Sequence, residues 1–280
     1  MNDTTRPDNG NSASASLVYD PVCAPLEQSE EDGLRPGCGA QVCWADEGRG
    51  TDVVLLYLHG LSASHGDGYP AHQRLAQRLG ANLLLARLPG HGMRRLDALK
   101  GVEPAEILEA VDAWVDRARE LGRELILAGT SMGATLALLR AQRARARALL
   151  LWSPGVAARV PADLERAARS GDLVGRAVAS DSSVWADAIH SDGYRCLSEL
   201  FKMLTPGLFA GISCPTFVGY SRKDESASIP AMLEMYDQLG CSKKDIREYE
   251  HGAHVLGSHL RSRDHGRLVD DCATFIGSIV

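Results

Sequence analysis

The chain contains no apolar run approaching the roughly 18 residues that a membrane-crossing helix needs. Residues 1–16 are polar and rich in serine, asparagine and aspartate, without the apolar stretch of a secretory signal. We read residues 1–17 as a disordered tail and expect a cytoplasmic protein with no stable membrane insertion. A basic surplus is also missing: 36 Asp and Glu against 30 Lys and Arg give a formal net charge of −6. Nucleic-acid binding needs a concentrated cationic surface, so no nucleic-acid partner is expected. The one basic run, Arg140, Arg143, Arg145 and Arg147, reads as the solvated end of a helix, where cations complement the dipole. The seven cysteines (Cys23, Cys38, Cys43, Cys196, Cys214, Cys241 and Cys272) include no C-x-x-C pair, which argues against a zinc or redox motif. Cys38 and Cys43 are close enough in sequence to pair. Cys214 and Cys272 lie in apolar segments and read as small buried hydrophobes. Free thiols agree with a reducing compartment. There is no internal repeat, and no low-complexity segment beyond the tail.

What is present is the composition of an ordinary globular domain: 280 residues, 45% hydrophobic and 24% charged. Such a chain buries enough surface to need neither metal nor disulfide. Residues 41–45 suggest a short early strand. Residues 53–58 are almost continuously apolar and too short for a helix, the pattern of a strand buried on both faces. A helix is predicted over 69–79 with Gly80 as its C-cap, then a strand over 82–88. Pro104 opens a helix that ends at Gly122, and strand 124–128, helix 131–141 and strand 147–152 follow. This alternation predicts an α/β fold with a mostly parallel sheet covered on both faces. It breaks after Pro154 and resumes with strand 214–220, helix 228–239, strand 245–250 and a last helix over 264–279. The expected organisation is a core of residues 18–152 plus 212–280, with 153–211 inserted as a helical cap over the carboxyl edge of the sheet, where open parallel sheets bind ligands. Within the insertion Trp185, Tyr194, Phe201 and Met203 either line an apolar pocket or form the cap's own core.

Gly129-Thr130-Ser131-Met132-Gly133 matches G-x-S-x-G. Chance supplies roughly 0.2 such matches in a chain this rich in glycine, so context decides. The motif stands between a short apolar strand and a helix, the strand–turn–helix setting in which a serine hydroxyl is raised above the sheet at a helix N-terminus. The alternative is a serine N-cap in a βα loop. A serine nucleophile needs a base to take its proton, and the base needs a carboxylate to hold it. Both occur in the order Ser, acid, His. Asp224, with Glu225 as the alternative acid, follows the strand at 214–220. His254 follows the strand at 245–250, and His251 lies nearer that strand's end. The oxyanion hole requires two backbone N–H groups. Met132 follows the nucleophile, and Leu61 lies in the His59-Gly60-Leu61-Ser62 loop after the first long strand.

Taken together, these pieces resemble the α/β-hydrolase superfamily, in particular its esterase, monoacylglycerol-lipase and serine-aminopeptidase branch. The matching residues are His59-Gly60, Arg87-Leu88-Pro89-Gly90-His91-Gly92, the Ser131 pentapeptide, Asp224, and His254 within His254-Val255-Leu256-Gly257-Ser258. The likeness runs from Val53 to the carboxyl terminus and is weakest over 153–211. Ala134 departs from it, where many relatives carry a second glycine. The resemblance implies an α/β-hydrolase fold, Leu61 and Met132 as oxyanion donors, and no cofactor. It also implies a serine hydrolase acting on a small-molecule ester or acyl substrate, short to medium chains being usual for a single glycine in the oxyanion loop. The same triad on an amide, thioester or carbon–carbon bond is the second expectation, and a non-catalytic binding member of the fold the third.

Overall fold

The structure is a computed structural model that describes residues 23–26, 33–175, 181 and 183–279. The tail expected over residues 1–17 lies outside them. Two short strands, β1 (Cys23–Pro25) and β2 (Gln41–Cys43), precede β3 (Thr51–Leu58), α1 (Ala71–Leu79) and β4 (Asn82–Leu85). There follow α2 (Pro104–Arg119), β5 (Gly122–Thr130), α3 (Met132–Ala144) and β6 (Ala148–Trp152). Between β6 and the next long strand lie α4 (Pro161–Arg169), β7 (Leu173–Gly175), β8 (Ala188–His190), α5 (Ser191–Lys202) and α6 (Pro206–Ala210). The chain then forms β9 (Thr216–Ser221), α7 (Ile229–Gln238), β10 (Lys244–Tyr249) and α8 (His265–Gly277).

Eight strands form one sheet in the order β1-β2-β4-β3-β5-β6-β9-β10. From β4 to β10 the strands are parallel, whereas β2 joins β4, and β1 joins β2, antiparallel. The apolar runs are continuous because each face of the sheet has its own core. In β3, Val54, Leu56 and Leu58 join one core with Ile107, Val111, Leu136 and Met235 from α2, α3 and α7. Leu55 and Tyr57 join the other with Leu75, Leu268 and Cys272 from α1 and α8. Local signals set the helix ends: Gly80 caps α1 in the left-handed conformation and Pro104 occupies the first turn of α2. This arrangement is the α/β-hydrolase fold expected from the sequence.

Two expectations need correction. The segment after β6 also holds a small antiparallel ribbon, β7 with β8, which the sequence reading missed. Three-residue strands with one largely exposed member produce no apolar run for periodicity to register. Cys43 pairs with Cys23 rather than with Cys38. The antiparallel register sets Cys23 directly opposite Cys43, while the buried Cys38 thiol donates to the Ser183 carbonyl at 3.1 Å. Cys38, Cys196, Cys214, Cys241 and Cys272 are thiols.

Candidate active site

Ser131 stands between the last residue of β5 and the first of α3 with φ 55° and ψ −116°, a conformation costly for a residue with a side chain. Surrounding hydrogen bonds hold it there: its N–H donates to the Trp152 carbonyl at 3.1 Å, and its carbonyl accepts from Thr135 N at 3.1 Å and Gly155 N at 3.2 Å. The flanking glycines are required by contact. A Cβ on Gly129 would lie 2.4 Å from the Gly133 carbonyl carbon, and one on Gly133 would lie 1.9 Å from the Leu58 carbonyl oxygen. The turn therefore fits only because strand, helix and the neighbouring β3 approach without side chains between them.

Asp224 lies beyond β9 and His254 beyond β10, at the same carboxyl edge as Ser131. His254 Nδ1 is 2.7 Å from Asp224 Oδ2. The other carboxylate oxygen accepts from the Ser226 and Ala227 amides, each at 2.8 Å. A carboxylate can only accept here, so Nδ1 carries a proton, and in the neutral tautomer that this selects, Nε2 is the acceptor nitrogen. Burial acts to raise the Asp224 pKa, but His254 and the two amides outweigh it and hold the group below the usual aspartate range. Glu225, the alternative acid, is exposed. His251 is also directed elsewhere: its backbone N–H donates to Asp264 Oδ2 at 2.7 Å, and its largely exposed ring faces Oδ1 of the same carboxylate. Among the described residues no hydrogen bond joins the Ser131 hydroxyl to His254. Such bonds commonly tighten only when substrate binds.

The loop after β3 reaches the elbow. A Cβ on Gly60 would sit 3.4 Å from Ser131 Cβ. Among the described residues the Leu61 N–H donates to no backbone or side-chain acceptor. Met132 is the first residue of α3, so its N–H has no partner within the helix. Behind the loop lies a buried polar group that the sequence reading did not single out. Asp67 Oδ2 accepts the Gly60 N–H at 2.8 Å, and Oδ1 accepts the Tyr57 hydroxyl at 2.7 Å. The Tyr57 oxygen is in turn 2.7 Å from Thr130 Oγ1. Burial, reinforced by the Asp67 charge, pushes the Tyr57 pKa well above its usual value, so the phenol stays protonated. The sequence's only signal for this group is a tyrosine within an otherwise aliphatic strand.

Four histidines surround the same loop. His59 is buried, with Nδ1 2.9 Å from the Gly60 carbonyl and Nε2 accepting from Leu88 N at 3.2 Å. Its ring stands 4.9 Å from that of His91. His65 and His72 are also buried, their Nε2 atoms bonded to the Gly39 and His65 carbonyls. Burial lowers all four: His59 falls well below the usual value, His65 and His91 to about 4, and His72 to about 3.

The segment between β6 and β9 also borders the site. Ser64 N donates to Val184 O, and Ala186 N to Ser62 O, both at 2.9 Å, so residues 184–186 run along the loop after β3. Trp185 is buried with Ala63 and Val184 and packs against Val255, the neighbour of His254. A Cβ on Gly155 would lie 3.2 Å from the Phe201 ring. Tyr194 packs against the main core, and Met203 is 43% exposed, so that side chain faces solvent rather than a pocket. No helix among the described residues is long and apolar enough to cross a membrane, and no cluster of three or more His, Cys, Asp or Glu side chains could hold a metal ion.

A parallel α/β sheet with a serine on its strand-to-helix elbow, and an Asp–His pair on later loops of the same edge, defines the α/β-hydrolase class. The chain belongs to the alpha/beta hydrolase family, whose model matches residues 53–270. It is 24% identical over 239 residues to the phospholipase YtpA of Bacillus subtilis (strain 168), covering 76% of this chain and 91% of that one. Among solved structures it is similar to one from a study of two metagenome-derived lipolytic enzymes, LipS and LipT. There the TM-score is 0.75 at 18% identity, covering 87% of this chain and 99% of that one. A soluble variant of the monoglyceride lipase of Saccharomyces cerevisiae is similar with a TM-score of 0.70 at 11% identity, covering 94% and 98%.

Proposed function

We propose that the protein is a serine hydrolase that cleaves a carboxylic ester through an acyl-enzyme. Ser131 Oγ attacks the ester carbonyl carbon while His254 Nε2 takes the hydroxyl proton. Asp224 keeps the proton on Nδ1 and stabilises the imidazolium that forms. The Leu61 and Met132 N–H groups receive the negative oxygen of the tetrahedral intermediate. His254 then returns the proton to the departing alkoxide, releasing the alcohol. A water molecule, deprotonated by the same nitrogen, attacks the acyl carbon, and the carboxylic acid leaves as Ser131 regains its proton.

The observation that carries this reading is the Asp224–His254 contact of 2.7 Å on the sheet edge where Ser131 occupies its strained turn. The lipolytic names of the relatives support an ester bond and a small-molecule acyl substrate. Residues 153–211 act as a cap whose Trp185 and Phe201 border the acyl side, consistent with their contacts to Ala63, Val255 and Gly155. The test is p-nitrophenyl ester hydrolysis across acyl lengths together with fluorophosphonate labelling. Ser131→Ala is expected to abolish labelling and to lower kcat/KM by at least about four orders of magnitude. Full activity in that variant overturns the assignment. Labelling without ester turnover moves the substrate to an amide, thioester or carbon–carbon bond.

A further inference from the structure

The oxyanion hole is assembled from two separate parts of the chain, the loop after β3 and the start of α3, and something must hold them in register. We infer that Asp67 is the positioning residue that does so, an inference that rests on the ester-hydrolase reading above. Asp67 is 1% exposed. Its two carboxyl oxygens face different halves of the hole. Oδ2 takes the Gly60 N–H, one residue before the Leu61 amide. Oδ1 takes the Tyr57 hydroxyl, which contacts Thr130, one residue before Ser131.

The proton inventory fixes the direction of this chain of bonds. Tyr57 has one hydroxyl proton, and it goes to Asp67. Thr130 must therefore donate to the Tyr57 oxygen. Three donors, Gly60 N–H, Tyr57 O–H and (through the tyrosine) Thr130 O–H, thus converge on one buried carboxyl. The next peptide unit, which carries the Gly60 carbonyl and the Leu61 N–H, is held by His59 Nδ1 at that carbonyl. With these two successive peptides each bonded, the rotation that would turn the Leu61 N–H away from Ser131 is opposed. The arrangement also explains why Leu61 rather than Gly60 supplies the amide: the Gly60 N–H is already committed to Asp67. Hydrogen-bond donors fixed before the reaction need no reorganisation when charge develops.

Asp67→Asn removes an acceptor and places an NH2 group against either the Gly60 N–H or the tyrosine. Tyr57→Phe keeps the ring and removes the hydroxyl that joins Asp67 Oδ1 to Thr130, leaving the Asp67–Gly60 bond in place, and it carries the test by itself if Asp67→Asn does not fold. Each variant is titrated with a fluorophosphonate, and kcat and KM for a p-nitrophenyl ester are expressed per titrated site. The inhibition constant of a trifluoromethyl ketone, which forms a tetrahedral adduct, is measured alongside. Displacing an oxyanion donor is expected to lower kcat per site about tenfold or more in Asp67→Asn and about threefold or more in Tyr57→Phe. KM should hold within about threefold, and ketone binding should weaken in step with kcat/KM. A purely structural role would reduce the titratable fraction and leave the rate per site unchanged. Smaller changes per site in the folded variants overturn the role of Asp67 while leaving the hydrolase reading intact. Failure of the wild-type protein to label overturns both.

Discussion

Acid should destabilise this protein steeply between pH 6.5 and 4, and the buried histidines set the size of the effect. In the unfolded chain each histidine titrates near 6.5, whereas burial holds His65 and His91 at about 4 and His72 at about 3 in the native state. A native pKa below the unfolded one means that the unfolded chain takes up the proton first. The stability contribution is therefore complete above about 6.5 and is lost as pH falls toward the native values. Between pH 7 and 5 this amounts to about 2 kcal/mol for each histidine. His59, lowered in the same direction, adds to it. The total is comparable with the roughly 5–15 kcal/mol by which domains are stable. Carboxylates held low in the native state, such as Asp224, titrate near 4 when unfolded, so their loss falls mostly below this window. Urea denaturation at pH 7, 6 and 5 measures the slope. His72→Gln, which removes one titrating group, should reduce it by about 1.3 kcal/mol per pH unit near pH 5. A midpoint that stays constant from pH 7 to 5, or a slope unaffected by His72→Gln, refutes the reasoning.

Two further outcomes follow from the site. Asp224→Asn keeps the shape of the carboxylate but loses its charge and presents an NH2 or oxygen where the histidine proton must be accepted. It should lower kcat by about 10³–10⁴-fold with little change in KM, while Glu225→Gln stays within about twofold, and equal losses from the two would reject Asp224 as the acid. Gly133→Ala places a methyl group 1.9 Å from the Leu58 carbonyl oxygen of a central strand, with backbone on both sides of the clash. The expected cost is about 3 kcal/mol or more, read by denaturant unfolding, and a wild-type midpoint would contradict the close approach.

The fold was legible because its long strands are buried on both faces and its helices carry ordinary end signals. Residues 53–58 show the first, and Gly80 and Pro104 show the second. The elbow was legible because the glycines at 129 and 133 are dictated by contact, and contact of that kind leaves a mark in the sequence. The acid was ambiguous between Asp224 and Glu225 because both follow the same strand. Only the Asx turn to Ser226 and Ala227 distinguishes the carboxyl that faces His254. The Cys23–Cys43 pairing depended on strand register between segments 20 residues apart, which composition and spacing do not carry. The β7–β8 ribbon escaped for want of an apolar run. Asp67 escaped because the partners of its carboxyl include a backbone N–H and a tyrosine hydroxyl, neither of which follows a period.

These omissions have a common physical origin. The oxyanion loop is expected to act through backbone N–H groups, so the side chain of Leu61 is under no chemical constraint and says little. The constraint moves to the groups that hold the backbone still. Asp67 on the Gly60 N–H and His59 on the Gly60 carbonyl fix two successive peptides, and His59 extends the connection to Leu88 beyond β4. Each of these groups is buried, and each would be costly to leave unpaired. Burying several polar side chains behind a loop is a poor way to stabilise a domain, since apolar packing does so without the risk of an unsatisfied group. It is an effective way to keep two amides aimed at one point through every turnover. The same burial makes the loop vulnerable to acid, because protonating His59 would put a donor where Leu88 N needs an acceptor. In the proposed mechanism, preorganisation of the hole and acid lability of the fold therefore meet at His59. A substitution that relieves the second, such as replacing His59 by an uncharged side chain, should loosen the first.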